Sequence, residues 1–445
     1  MNTKNKTILL ICAFLSLVTV VYGQDAKKWS LKECIEYAKE NNIDVRSQEI
    51  TLQSAGVDLQ QAKAQQYPTL NFSTGHSVSF TNTTQYNEYN EANGGTTYQG
   101  SFSLNAGYAL YQGGKIQNTI KQQGLVNEAS QYDLEQSKMT IEISVTQAYL
   151  QILYNDEALK IAEQAAELSK VQYERGEQMF AAGSISKGDL AQLQSQYASD
   201  KYQVVAAQNA LSVSKLQLKQ LLELGIDRSF DVEFPAIGDE SVTAFIPELN
   251  TVYLTALDVV PNIQSSNLSV EASEVAVRVA KASFYPTVSL SAGMSTGIYS
   301  GTGVSFIDQL NNKLGENLSL NLSIPIFNNR QVRSNVTKAK LQSQSSKLQN
   351  ESQKKQLLST LESLHNDATS AQSQYLAAKE QLNASQVSYE IVSEQFNAGI
   401  KNTVELITEQ NNYISALSKL LQTKYQAVLS LKLLNRYMNN QTIEL

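Results

Sequence analysis

Four stretches of the chain alternate strictly between apolar and small polar residues. In Leu70–Phe80 the even positions are Leu70, Phe72, Thr74, His76, Val78 and Phe80, and the odd ones are Asn71, Ser73, Gly75, Ser77 and Ser79. Phe102, Leu104, Ala106, Tyr108 and Leu110 alternate with Ser101, Ser103, Asn105 and Gly107. Val288, Leu290, Ala292 and Met294 alternate with Ser289, Ser291, Gly293 and Ser295, and Leu318, Leu320, Leu322, Ile324 and Ile326 with Ser319, Asn321 and Ser323. Period-two alternation over about ten residues, apolar on one face and small polar on the other, predicts strands of a transmembrane β-barrel. A half-buried sheet on a soluble core has the same period, but the neighbouring helical stretches are too polar to supply that core. Tyr67, Tyr98, Tyr111, Tyr285, Tyr299 and Phe327 fall near strand ends, where interfacial aromatics belong. His76 is expected as a tolerated polar residue on the outward face rather than a ligand. Polar connections, Thr81–Thr97 and about Ser300–Glu316, are expected as loops at one end of the strands.

Elsewhere the period lengthens. Ile141, Val145, Ala148, Ile152, Leu159, Ala162, Ala166 and Tyr173 form one 3-4-spaced seam, and Leu190, Leu193, Tyr197, Val204, Ala207, Leu211, Leu218 and Leu221 form another. These predict a long helix over about 114–182 and a return helix over about 188–223, packed as a coiled coil. A helix of 69 residues is roughly 100 Å long, more than a globular domain needs.

The chain repeats itself. Ala62-Lys63-Ala64, Tyr67-Pro68-Thr69 and Gly75 return as Ala280-Lys281-Ala282, Tyr285-Pro286-Thr287 and Gly293, an offset of 218. Ser103-Leu104-Asn105 returns as Ser319-Leu320-Asn321, and Phe180-x-Ala182-Gly183 as Phe396-x-Ala398-Gly399, both at 216. Each copy reads helix, two strands, very long helix, tight turn, helix. The first repeat spans 24–224, with strands near 69–80 and 98–111. The second spans 248–440, with strands near 286–299 and 317–327, a long helix over about 328–398 and a return helix over about 403–438. Residues 225–247, with Pro235 and several acids, read as the linker.

Four strands per chain cannot close a barrel, and an open edge in lipid leaves backbone groups unpaired. Several chains must therefore share one: two would supply eight strands, three would supply twelve. The small polar faces then line a water-filled lumen.

Composition narrows the function. Lys4 and Lys6 precede an apolar run from Ile8 to Val21, with Gly23 as a small residue for cleavage, so 1–23 is expected as a secretory signal peptide. Loss of Lys4 and Lys6 takes the formal charge from −7 to −9, and no basic stripe exists, so nucleic acid is not an expected partner. Cys34 is then the only cysteine outside the signal, which excludes an intrachain disulfide. His76 and His365 stand far apart, and no metal-ligand set with ordinary spacing includes them. Gly183 and Gly188 have phosphate-loop spacing, but Asp189-Leu190 replaces the Lys-Ser/Thr that the chemistry needs. Gly301-x-Gly303 lacks a third glycine, and no Gly-x-Ser-x-Gly, His-Glu-x-x-His or Cys-x-x-Cys occurs. Neither a catalytic constellation nor a cofactor is expected. The competing class is a periplasmic coiled-coil adaptor or structural protein that never inserts.

Trp29-Ser30-Leu31-Lys32-Glu33-Cys34-Ile35-Glu36-Tyr37-Ala38, the repeated Tyr-Pro-Thr before a strand and the repeated Phe-x-Ala-Gly turn together resemble the TolC family of outer membrane efflux proteins. The resemblance covers nearly all of the mature chain, and its specificity lies in the order of these motifs in two copies. It implies a homotrimer, with a shared twelve-stranded β-barrel in outer membrane lipids continued by a twelve-helix α-barrel across the periplasm. It also implies a periplasmic adaptor (membrane fusion protein) and an inner-membrane efflux pump or ABC exporter. Family tunnels close near the turns between long helices, here Gly183–Gly188 and Gly399–Thr403. The resemblance implies acidic residues ringing the pore after the second turn. Glu405 matches the first such position; Thr408 stands at the second, with Glu409 beside it. Lys401 matches a basic position that forms tip contacts in some members, and Gly183, Gly399 and Asp189 mark turns for adaptor contact. Glu405 and Asp189 also sit where an acid favours a helix start through the dipole, without any pore role.

Overall fold

The computed structural model describes residues 28–81, 95–226, 230–301, 303–439 and 442–443. The expected signal peptide and most of the first inter-strand loop lie outside the described residues. The elements run β1 (Lys28–Trp29), α1 (Leu31–Asn41), α2 (Ile43–Ala64), β2 (Thr69–Thr81), β3 (Gly95–Gln112), α3 (Lys115–Ala181) and α4 (Lys187–Leu221). After these come β4 (Asp231–Val232), α5 (Asp239–Val242), α6 (Leu249–Val259), α7 (Pro261–Ala282), β5 (Thr287–Tyr299), α8 (Phe306–Asn312), β6 (Gly315–Ser323), α9 (Gln331–Asn397) and α10 (Thr403–Met438). The long helices α3 and α9 are each 67 residues. None of the described helices is long and apolar enough to cross a membrane.

Four departures from the sequence reading have local causes. Each copy opens on two helices instead of one. Asn42 is extended between α1 and α2, its side chain accepting from Asp44 N at 3.0 Å and donating to Leu221 O at 3.1 Å. In the second copy the break is at Val260, held extended by Pro261, which begins α7. The linker carries structure: β4 pairs in parallel with β1, and Glu233 N donates to Trp29 O at 3.0 Å. The second inter-strand loop contains α8, capped by Ser305 and tied to β5 where Thr296 Oγ1 donates to Leu310 O at 2.6 Å. Finally, β6 stops at Ser323, because Pro325 has no N–H for a ladder.

The chain divides into two compact units. Unit 1 comprises residues 1–46, 137–259 and 358–445. Its core includes one face of α1 (Leu31, Cys34, Ile35 and Ala38), all at most 4% exposed, and the Tyr149 face of α3. The Tyr149 hydroxyl donates to Glu233 O at 2.7 Å, with Trp29 O at 3.3 Å. Glu142, fully buried, lies 2.8 Å from Lys39 Nζ and 3.2 Å from Arg436 Nε, and accepts from Ile443 N at 2.8 Å. Such a charge survives burial only because cations and a backbone donor surround it. Burial, then Glu33, pushes the Cys34 thiol up to about 12, so it packs as a small apolar residue rather than a nucleophile.

Unit 2 comprises residues 47–136 and 260–357. Its sheet is an antiparallel meander in the order β2-β3-β5-β6, so the two copies meet at the β3–β5 pair. Its helical part is held by polar contacts, among them Asn350 Nδ2 donating to Ser266 Oγ (3.0 Å) and Asn267 Oδ1 (2.9 Å), and the Lys347–Glu274 pair at 2.7 Å. The turn from strand to long helix is left-handed in both copies. Gly113 and Gly114 have φ of 59° and 76°, and Asn329 and Arg330, each 216 residues later, have 50° and 64°. A side chain at Arg330 therefore bears a left-handed cost of about 1–2 kcal/mol that its glycine counterpart avoids.

Candidate functional site

The sheet separates its two faces cleanly. Register places Phe72 opposite Leu104 and Leu104 opposite Met294, and Leu290 opposite Leu320. On the other face Asn71, Asn105, Gly293 and Asn317 form one row across all four strands. Ser73 bonds Ser103 at 2.6 Å and Ser291 bonds Ser319 at 2.9 Å. Over most of its length no described residue covers the apolar face: Phe72 is 67% exposed, Leu318 74% and Leu320 65%, and only at the loop end does α8 lie against β5, where Thr296 bonds Leu310 O and Ile298 is 8% exposed. This is the observation that separates a lipid-facing sheet from a soluble one, since a soluble sheet covers that face. A bulge between Ala109 and Tyr111 shifts β3 so that Tyr111, not Leu110, pairs with Val288.

The polar residues on the apolar face are Thr74, His76, Thr96, Thr296 and Glu316. His76 is more than tolerated. One ring nitrogen bonds Thr74 Oγ1 at 3.0 Å, the other bonds Tyr98 OH at 2.8 Å, and the ring stacks on Tyr98. Gly100 opposite gives the ring room. Strands β2 and β6 each have a neighbour on one side only among the described residues.

The helical turns lie in unit 1 and repeat almost atom for atom. Gly183 (φ 72°) and Gly399 (φ 73°) end α3 and α9. Ser184 N donates to Met179 O and Ile400 N to Gln395 O, both at 2.8 Å, while Gly183 N and Gly399 N donate to Phe180 O and Phe396 O at 2.9 Å. This is a Schellman closure, which explains the repeated Phe-x-Ala-Gly. Three residues after each glycine comes a capping box: Ser186 with Asp189, and Asn402 with Glu405. Below the turns Leu193, Phe396 and Leu406 form a buried cluster with Tyr173, Met179, Ile185, Tyr389 and Ile407 packed on it. Gly176 passes so close to Leu193 that a Cβ there would collide with it.

The structure brings Lys401 and Glu405 together, Nζ to Oε1 at 2.6 Å, and Glu405 Oε2 also accepts from Asn402 N at 3.1 Å. The Lys401 bond, then the Asn402 N–H, hold the Glu405 carboxyl below the usual range. Ser186, through its hydroxyl and then its N–H, does the same for Asp189. Glu409 faces Ser388, whose Oγ donates to it at 3.0 Å, and does not meet Glu405's partners. Thr408 bonds back to Val404 O at 2.7 Å.

Several contacts lay beyond the sequence reading. Two tyrosine pairs, Tyr173–Tyr197 and Tyr389–Tyr413, stack at 6.2 and 5.6 Å and are related by the repeat offset. Gln172 joins the copies by donating to Tyr389 OH at 3.0 Å. Asp200 and Ser214, skipped by an apolar-only seam, are buried on it. A groove of about 710 Å³ beside the turns is lined by Leu168, Val171, Tyr389 and Phe396, with Glu167 and Arg175 at its rim. Among the described residues no group of three His, Cys, Asp or Glu is placed to hold a metal.

Against this geometry, the family described as "Outer membrane efflux protein" matches residues 34–223 and 252–440, both copies of the repeat. The outer membrane protein TolC of Salmonella enteritidis is 22% identical over 406 residues, covering 89% of this chain and 79% of its own. Among solved structures, CusC superposes with a TM-score of 0.79 at 20% identity, covering 91% of both chains. The outer membrane protein VceC of Vibrio cholerae gives 0.77 at 16% identity, covering 92% of this chain and 94% of its own.

Proposed function

We propose a role for this chain from its family: it belongs to the outer membrane efflux protein family. It is an outer membrane efflux channel protein, mainly α, with a four-stranded β contribution per chain. In our reading three copies close one twelve-stranded barrel, β6 of one protomer pairing with β2 of the next. Their helices form a periplasmic tunnel that meets an adaptor and an inner-membrane pump or ABC exporter. The chain itself acts as a duct and not as an enzyme, and the partner supplies the energy. One observation carries this: most of the apolar face of the sheet is exposed while, among the described residues, both outer strands lack a second neighbour. In lipid those edges must be paired, and pairing with further copies does so without new elements. Exposed Ile400 and Val404 beside the second turn, with the groove next to it, suit an adaptor contact. The mass of the detergent-extracted particle, corrected for detergent, tests the assembly. Three chains are expected, whereas a soluble monomer overturns the duct.

At the tips, Glu405, Glu409 and Lys401 form the pore constriction in this reading. A second reading has its own observation: the Asn402–Glu405 box repeats the Ser186–Asp189 box, so both acids serve helix starts. Single-channel recording of Glu405→Gln with Glu409→Gln separates the two. A constriction role gives higher conductance and weaker cation preference; unchanged currents leave only the helix-start role.

A further inference from the structure

Unit 1 has a second polar surface, away from the turns. On α3 the residues turned toward α1 and the β1–β4 pair centre on Tyr149, with Glu142, Val145 and Leu153 at most 2% exposed. At 100° per residue, Gln147 and Gln151 lie about 160° to either side of that direction, on the opposite face. Both are exposed. Two grooves share them. One, of about 600 Å³, is completed by Gln217, Gln220, Asn42 and Asp44. The other, of about 280 Å³, is completed by Gln422, Gln426, Tyr154 and Tyr425. The glutamines come in pairs three or four apart on α3, α4 and α10, so each pair points one way. Among the described residues, the side-chain amides of Gln147, Gln217, Gln220, Gln422 and Gln426 bond no other protein group. No Lys or Arg lines either groove.

We propose that this glutamine-lined surface binds a neutral, polyhydroxylated ligand, an oligosaccharide, as cargo inside the duct. Each side-chain amide offers two donors and an acceptor in a plane, which matches adjacent hydroxyls. Asp44 and Glu223 add acceptors for hydroxyl protons, and the half-buried Tyr154 ring adds apolar surface for the C–H face of a sugar. An anion finds no cation here. An apolar molecule finds only Ala148 and Leu221 in the larger groove, and in the smaller one Leu150 and Leu429 stand among four glutamines. An extended peptide needs a strand edge, and the walls are helices. The lumenal placement rests on the duct reading. In that reading α1 and the β1–β4 pair stand on the outer wall, which turns the opposite face of α3 inward.

The test uses full-length protein in detergent with maltohexaose as probe. Calorimetry is expected to detect binding, and Gln147→Ala with Gln151→Ala to weaken it at least about tenfold, the effect of two lost hydrogen bonds. Gln151 also donates to the buried Asn155 at 3.0 Å, so the melting temperature of this variant is measured beside its binding; Gln422→Ala with Gln426→Ala, exposed and without such a bond, keeps the wild-type melting temperature and is the second variant, with the same loss expected. In planar bilayers the sugar is expected to interrupt the wild-type current, and less often in either variant. No binding to the wild type, or equal binding to both variants, overturns the saccharide site. Binding without any effect on a measurable current overturns its lumenal placement. Binding in a protein that forms no channel overturns the duct reading and leaves the groove as a saccharide site elsewhere.

Discussion

Asp200 sits on the α4 seam where an apolar residue would be expected. Its carboxylate accepts from Gln196 Nε2 at 3.0 Å, yet burial raises its pKa and outweighs what Ser169 and Gln196 restore. A raised carboxylate pKa means the folded state holds its proton longer than the unfolded chain. Stability is then lost as pH rises from the ordinary Asp range through the folded value. Asp200→Asn keeps the acceptor and removes the charge. Its melting temperature is expected to exceed wild type at pH 7, the gap closing as pH falls below the ordinary Asp range; thermal denaturation across pH measures it. Glu405 and Asp189 have the opposite sign. Their depressed pKa values give support at neutral pH that is lost only as pH falls through the carboxylate range and below.

The turns between helices show how a short motif closes a long element. A left-handed glycine, two back-bonded amides and a capping box reverse the chain within a few residues, twice. Nothing lies within 4 Å of a Cβ built on Gly183 or Gly399, so substitution there strains backbone and not packing. Gly183→Ala and Gly399→Ala are each expected to cost about 1 kcal/mol, seen as faster hydrogen exchange in the adjoining helix ends with the rest of the chain unchanged. The same logic explains Asn329 and Arg330. The second copy makes the same left-handed turn as Gly113 and Gly114 with side chains in place, at the backbone cost those side chains carry.

Assembly into a membrane makes the two faces of the sheet unequal. Leu104 and Ser103 are neighbours on a central strand, one on each face. Leu104→Arg puts a guanidinium toward lipid and is expected to cost about 2–4 kcal/mol. Ser103→Arg puts it toward the lumen and is expected to be tolerated. The fraction of each variant recovered folded in the outer membrane reads the difference, and equal recovery overturns the assignment of faces.

Much of this architecture was legible because it rests on period and repetition. A strand period of two and a helix seam of 3-4 survive without knowledge of neighbours, and the 216-residue offset aligns Tyr389 with Tyr173 as surely as Gly399 with Gly183. Proline placed the end of β6 and the start of α7 in plain view, although the pattern beside each drew the element past its break. What composition could not reveal depends on contacts between distant segments. The β1–β4 pair joins residues about two hundred apart through two residues each, too short to have a period. Glu142 reads as a surface acid on a polar helix until Lys39, Arg436 and Ile443 converge on it. His76 breaks an apolar face in the sequence, and only pairing with the next strand supplies Tyr98 to satisfy it. Local pattern is set by backbone geometry and so can be read along the chain; a buried charge or an open groove is set by which segments meet, and appears only when they have folded.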